Sequence, residues 1–160
     1  MSMIGNFLPI AQAELNALYA TPGSVSKLLY ETRDAECIDL DKAWHAIHFM
    51  LVGEVYEDSA PLAKVILGGV PIGDEDVGYG PARGMSAIEV KEVASAVCAI
   101  SEAAFRARFD ADALNEADIY PQIWDEGSDA LDYVASYFLD AQRVYKDAAA
   151  MDLALVLFIN

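Results

Sequence analysis

The chain has 160 residues, enough for one domain, and 55% of them are hydrophobic, which excludes a disordered chain. Its 10 basic and 26 acidic residues give a net charge of −16, which argues against binding to nucleic acids or to anionic membranes. We therefore expect a single domain over residues 1–160, with no nucleic acid and no membrane among its partners.

The cysteine pattern and the apolar runs bear on location. Cys37 and Cys98 lie far apart and outside any C-x-x-C or Cys/His motif, which favours free structural thiols in a reducing compartment over a disulfide. Residues 1–10 are short and uncharged for a secretory leader. The longest apolar run, residues 153–159, falls far below the ~20 residues of a membrane-spanning helix. These features predict a soluble cytoplasmic protein.

Strand-like segments occur near both ends of the sequence. Residues 3–8 form a short segment that we expect to end at Pro9, because proline cannot donate a hydrogen bond within a sheet. Residues 153–159 form a continuous apolar run, typical of a strand covered on both faces. We predict that the two segments pair as neighbours in one small sheet.

The segments between these strands have mostly helical spacing. The clearest start signal is the capping box of Ser86 and Glu89, whose helix should turn its apolar residues, Ile88 among them, toward the core. The exception is Gly68–Gly84, an aperiodic loop with six of the ten glycines. The fold class is thus a helix-rich α+β domain, with helices expected near residues 12–19, 24–30, 41–52, 62–67, 86–97, 101–108, 110–118 and 128–150.

Four segments together resemble the YfbM-like family of small bacterial proteins, a domain family without an assigned function. They are residues 3–7, residues 40–49 with the following Gly53, residues 79–83 and residues 119–121. The Asp-Lys-x-Trp and Ile-His-Phe patterns in the second segment are the most specific. The resemblance spans nearly the whole chain and implies a helix-rich α+β domain with a short sheet. It implies no catalytic residues.

The only two histidines share one stripe of the helix predicted over residues 41–52. Asp41, His45 and His48 fall at i, i+4 and i+7, so they could hold a divalent metal, or Asp41 could orient a histidine as general base. However, helical metal sites use histidines at i, i+4, and this pair is at i, i+3. His48 also follows Trp44 by four residues on the apolar face. We therefore favour structural hydrogen bonding and predict no metal.

The glycine-rich segment Gly78–Gly84 precedes the helix capped by Ser86. It does not fit a nucleotide-binding loop, because no strand precedes it, residues 74–76 are acidic, and Pro81 lacks an amide hydrogen. Arg83, near Tyr79, could instead bind a carboxylate or another small anion, with a structural ion pair as the alternative. We predict no cofactor.

Tyr120 and Trp124 form a second aromatic patch with Pro121. Aromatic residues in such a loop can serve as a ligand-binding platform. They more often anchor the loop to the core, so the sequence favours the structural interpretation while both residues stay candidates for ligand contact.

The leading functional hypothesis is a non-enzymatic protein-interaction module that binds a basic partner, such as a toxin-like protein, because a charge of −16 speeds encounter with cations. The alternative is a small-ligand-binding or hydrolase-like domain. Its cleft would lie between the Asp41–Val52 helix and the Gly68–Gly84 loop, where His45, His48, Tyr79 and Arg83 would converge. A mean hydropathy of +0.24 also makes a homodimer possible. The sequence leaves open whether the protein is an enzyme.

Overall fold

Two long strands, β1 (Gly5–Ile10) and β5 (Ala154–Ile159), pair antiparallel at the centre of a five-stranded sheet. The computed structural model describes residues 1–160. Three shorter strands complete the antiparallel sheet in the order β2-β1-β5-β4-β3: β2 (Ile38–Asp39), β3 (Val70–Pro71) and β4 (Arg83–Met85). The predicted α+β class and the pairing of the two terminal segments are thereby confirmed.

The prediction that the first strand ends at Pro9 is wrong, since β1 continues to Ile10 with Pro9 opposite Leu155. The backbone groups of Ile4 and Asn160 exchange both hydrogen bonds, so every second pair from there is hydrogen-bonded, and Pro9–Leu155 is not one of them. On its other side β1 pairs with β2 only at Asn6 and Phe7. Proline is tolerated because no neighbour requires its missing N–H.

Eight α-helices connect and cover the strands. Three of them begin with a side-chain cap, in which Ser86, Ser101 or Asp110 accepts a hydrogen bond from the amide three residues later. None of the helices is both long enough and apolar enough to span a membrane. The helices are α1 (Gln12–Ala20), α2 (Val25–Lys27), α3 (Trp44–Val52), α4 (Lys64–Leu67), α5 (Ala87–Val97), α6 (Glu102–Arg106), α7 (Ala111–Glu116) and α8 (Ser128–Ala150), and a π-helical turn over Leu28–Thr32 extends α2.

Alternation along β1 and β5 divides the buried side chains between two hydrophobic clusters. Phe7 and Leu157 belong to the larger cluster, with α3, α5 and α8. Leu8 and Val156 belong to the smaller cluster, with α1 and α2. The sheet is therefore covered on both faces, as the continuous apolar run of β5 predicted.

Three local expectations differ from the structure. The helix expected from residue 41 begins at Trp44, because Asp41 has φ +47° and residues 41–43 form a 3₁₀ turn. The supposedly aperiodic Gly68–Gly84 segment contains β3 and the start of β4. Ile88 is 74% exposed rather than buried, since the core side of α5 is taken by Val90, Val93 and Val97.

Candidate anion-binding site

Arg83 is the first residue of β4 and lies opposite Leu157 of β5. Cross-strand partners point to the same face of a sheet, so Arg83 extends toward the larger hydrophobic cluster that contains Leu157. There its Nη2 donates a hydrogen bond of 3.1 Å to the carbonyl oxygen of Ile66, near the C-terminus of α4. Strand register thus carries a guanidinium into the core side of the sheet.

The guanidinium of Arg83 is largely buried and has no carboxylate within 4.0 Å, although five other basic side chains of this acidic chain form ion pairs. Burial lowers the pKa of Arg83, whereas carboxylate partners raise the pKa of Arg33 and of Arg106. A charge out of water without a counter-ion is unfavourable. The ion pair that the sequence offered as the structural alternative for Arg83 is not formed.

Arg83 lines an open cavity of about 330 Å³ between the loop after α3 and strands β3 and β4. The volume lies within the range of small-molecule sites, roughly 300–1,000 Å³. Asp58 places a carboxylate in the same cavity, at longer range from Arg83. Tyr56 is 83% exposed, and its ring stacks on His45 with a centroid distance of 6.3 Å. The lining residues are Tyr56, Asp58, Leu67, Gly69, Pro71 and Arg83.

Gly69 lines the cavity where β3 and β4 lie very close together. Its φ is +89°, and a Cβ at this position would lie 2.9 Å from the carbonyl oxygen of Gly84. Only glycine combines this conformation with such a close approach to β4. A side chain at residue 69 would push β3 away from the strand that carries Arg83.

The two histidines lie in the core and do not line the cavity. His48 is 0% exposed and neither ring nitrogen has a hydrogen-bond partner, although the backbone of Ala63 lies nearby. Burial is the main cause that lowers the pKa of His48, the neighbouring His45 and Arg83 add to it, and the resulting pKa is about 4, so His48 is neutral near pH 7. His45 is 7% exposed; its Nδ1 accepts a hydrogen bond of 3.1 Å from the amide of Tyr120, while Nε2 has no partner.

The structure therefore brings together only part of the cleft expected from the sequence. His48 lies close enough to Arg83 for the arginine charge to affect its pKa, but His48 is sealed beneath the surface. Tyr79 lies elsewhere: its amide donates to the carbonyl oxygen of Ile159, at the end of the sheet, and it does not line the cavity. The four side chains do not share one accessible hollow.

The other candidate residues contact the protein itself. Asp41 does not orient a histidine; its Oδ2 accepts a hydrogen bond of 2.9 Å from the hydroxyl of Tyr133. Trp44 is buried, donates from Nε1 to the carbonyl oxygen of Met3 and stacks on His45. No group of three or more His, Cys, Asp or Glu side chains is placed to hold a metal ion.

The aromatic patch after α7 anchors its loop. Trp124 is fully buried, and its Nε1 donates a hydrogen bond of 2.7 Å to the carbonyl oxygen of Ile119. The Tyr120 hydroxyl accepts from the amide of Met3, so this loop also holds the residues before β1. These contacts agree with the structural interpretation of the two aromatic residues.

Sequence reasoning missed Tyr56 and Asp58. Both lie in the irregular segment between Gly53 and Pro61, which has no periodicity and no motif. The only local signal is an aromatic residue followed by two acidic ones, a pattern too common to indicate a site. Their meeting with Arg83 depends on the sheet and could not be read from local sequence.

These features define a small α+β protein with an unpaired arginine at an open cavity. A family profile described as "Domain of unknown function (DUF1877)" matches residues 1–158, so the chain belongs to that family. Among solved structures, a protein of unknown function, YfbM from Escherichia coli, is similar with a TM-score of 0.77. The two are 21% identical, and the match covers 98% of this chain and 99% of that chain. None of the curated proteins matches the chain.

The two matches confirm the YfbM-like resemblance, which the sequence suggested from four short segments. At 21% identity the structural likeness shows the fold alone. The properties of the Arg83 cavity therefore have to be argued from this chain's own residues.

Proposed function

We propose that the protein binds a small carboxylate-bearing ligand in the Arg83 cavity. The observation that carries the proposal is the largely buried guanidinium without an ionic partner at the wall of an open cavity. Arginine presents several N–H donors in one plane, and a carboxylate can accept two of them at once. Such a ligand would supply the missing counter-charge, which favours carboxylates over neutral molecules.

Asp58 narrows the ligand class further. It is exposed, forms no ion pair and faces the same cavity as Arg83. A ligand with a carboxylate at one end and an ammonium group near it would contact both charges. Tyr56, Leu67 and Pro71 provide apolar surface for a short aliphatic part. We therefore propose a zwitterion of amino-acid size.

The geometry favours binding over the hydrolase-like role considered from the sequence. Neither imidazole lines the cavity, and the lining groups include no thiol or aliphatic hydroxyl. Tyr56, Asp58 and Arg83 can hold and orient a ligand, but they do not form a nucleophile with an adjacent base. The support for the binding role is thus the chemistry of the lining side chains.

A second proposal keeps the interaction with a basic protein partner, which the net charge of −16 favours through long-range attraction. The cytoplasm remains the proposed location. The two free thiols, Cys37 and Cys98, support it because such thiols persist in reducing compartments.

Calorimetric titration with three matched probes tests the Arg83 proposal: norvaline, pentanoate, which lacks the amine, and butylamine, which lacks the carboxylate. We expect norvaline to bind tightest and butylamine not to bind. Arg83→Met should weaken norvaline and pentanoate about tenfold or more, since a charged hydrogen bond contributes roughly 1.5–3 kcal/mol. Asp58→Asn should weaken norvaline about threefold and leave pentanoate unchanged.

Arg108→Met is the matched control, because Arg108 also donates to helix carbonyls but lies away from the cavity. It should bind all three probes like the parent protein. Equal carboxylate affinity of Arg83→Met and the parent, or no binding of either carboxylate to the parent, would refute the proposal.

A further inference from the structure

A second cavity, the α8 hollow, lies between the last turns of α8 and strands β1 and β2, and it has a volume of about 230 Å³. Its wall is mostly apolar, and charged side chains of α8 stand beside it. We propose that the α8 hollow docks a basic peptide segment of a partner protein that carries one large apolar side chain. The apolar wall consists of Pro9, Ile38, Val144, Ala148, Met151 and Leu153.

The hollow exists because a small residue stands at its base. Ala148 is 1% exposed and faces the strands, so α8 packs against them without filling the space above its methyl group. Met151 at the hollow is 68% exposed, which leaves a flexible apolar side chain without a partner in the free protein. Methionine adapts to the shape of an inserted side chain. The cavity therefore suits a single aliphatic anchor better than a flat protein face.

The charges around the hollow select a cationic partner. Asp140, Arg143 and Asp147 all line it; Arg143 pairs with Asp140 at 2.8 Å, whereas Asp147 is exposed and forms no ion pair, so the lining keeps one uncompensated negative charge. Carboxylates continue beyond the hollow. Burial raises the pKa of Tyr137, and the carboxylates of Asp41, Asp39 and Asp140 raise it further, so these three share one patch of surface around that ring.

The same charges argue against other occupants. A second copy of this chain would bring another net charge of −16 to an acidic rim, and an anionic lipid surface would also be repelled. A peptide with lysines or arginines on both sides of an apolar residue places its charges over the carboxylates while the apolar side chain enters the hollow. This inference rests on the proposed basic protein partner and is independent of the Arg83 cavity, which is lined by other residues.

NMR titration of the ¹⁵N-labelled full chain tests the inference. The probe is a five-residue peptide of four lysines around one leucine, compared with the same peptide in which serine replaces leucine. We expect amide shifts at Ile38, Ala148 and Leu153, an affinity about fivefold or more higher for the leucine peptide, and weakening as salt shortens the screening length. Shifts that are equal for both peptides, or that spread over all acidic surfaces, would overturn the proposal.

Two substitutions at exposed positions test the hollow without disturbing the core, so the fold should be kept. Asp147→Lys and Met151→Lys place a positive charge at the hollow, and each should weaken the leucine peptide about fivefold or more. The double variant Asp112→Asn with Glu116→Gln, on α7, removes two negative charges away from the hollow and should change affinity less than twofold. Light scattering tests whether a second copy of this chain occupies the hollow instead. A concentration-dependent dimer that Met151→Lys abolishes would contradict the peptide proposal.

Discussion

Two arginines of this protein bind the carbonyl end of a helix, and their surroundings differ. Arg108 is exposed and donates from Nη1 to the carbonyl oxygens of Met50 and Leu51, at 3.3 and 3.0 Å near the end of α3. Arg83 makes one bond, to Ile66, and most of its guanidinium is out of water. Water can satisfy the remaining donors of Arg108. The remaining donors of Arg83 face protein or the cavity.

Arg108 shows that an exposed arginine can make a helix-capping hydrogen bond. The capping bond alone therefore does not explain why Arg83 is largely buried. At the end of α3, the hydrogen bonds from Arg108 and contact with water satisfy the polar groups. At the Arg83 end a buried cation stands close to His48, a buried imidazole with no hydrogen-bond partner, so polar groups accumulate without mutual satisfaction. Such groups reduce stability, and a functional role explains why they are retained, so the Arg83 end is the better candidate for a site.

The largest expected effect is the acid sensitivity of His48. Its pKa is about 4 in the folded protein and near 6.5 when unfolded, so the unfolded chain binds the proton more readily between these values. The stability from keeping His48 neutral is fully present above pH 6.5 and is lost as pH falls toward 4. Between pH 7.5 and 4, the parent protein should lose about 3 kcal/mol more than His48→Leu. Urea unfolding across this range measures the difference.

At pH 7.5 the His48→Leu protein should be at least as stable as the parent, because no hydrogen bond is lost. If the two proteins lost stability in parallel below pH 6.5, His48 would not be the group that senses acid.

The Arg83→Met substitution should give the next largest effect, and it should stabilise the protein. Replacing a largely buried, unpaired charge by an apolar side chain of similar length should raise the free energy of unfolding by about 1.5 kcal/mol without ligand. Saturating norvaline should stabilise only the parent protein, so it should reduce the difference in the free energy of unfolding between the parent and Arg83→Met. Thermal unfolding with and without norvaline measures both changes. A destabilised Arg83→Met protein would mean that the arginine serves the fold.

The smallest expected effect, with the opposite sign, is that of Arg108→Met. Loss of two hydrogen bonds to the end of α3 should lower the free energy of unfolding by about 1 kcal/mol. Urea unfolding at pH 7.5 gives the comparison with Arg83→Met directly. If both substitutions changed the free energy of unfolding with the same sign, the distinction between Arg83 at the end of α4 and Arg108 at the end of α3 would not hold.

Local signals predicted much of this fold. The bounds of α8 agree with the predicted residues 128–150, and the Ser86 cap begins α5, since apolar spacing and capping act over a few residues. Strands of two or three residues could not be found this way, because β2 and β4 exist only through their pairing with β1 and β5.

The site was less predictable than the fold. Arg83 stood out as a rare cation in an acidic chain, but its cavity is completed by Tyr56 and Asp58, from a loop without a pattern. The expected alignment of Asp41 with the histidines failed because the backbone turns at φ +47° and Tyr133 takes the carboxylate. Both outcomes depend on residues distant in sequence.

The pairing of β1 with β5 has a consequence for synthesis on the ribosome. Asn6 donates a side-chain hydrogen bond to Asn160, which is 154 positions later. β1 therefore leaves the ribosome long before β5 exists, and although β2 can pair early with one edge of β1, the edge that pairs with β5 stays open for most of translation. Contacts this distant slow folding and expose intermediates to aggregation, so the chain is most prone to aggregate before β5 has been made.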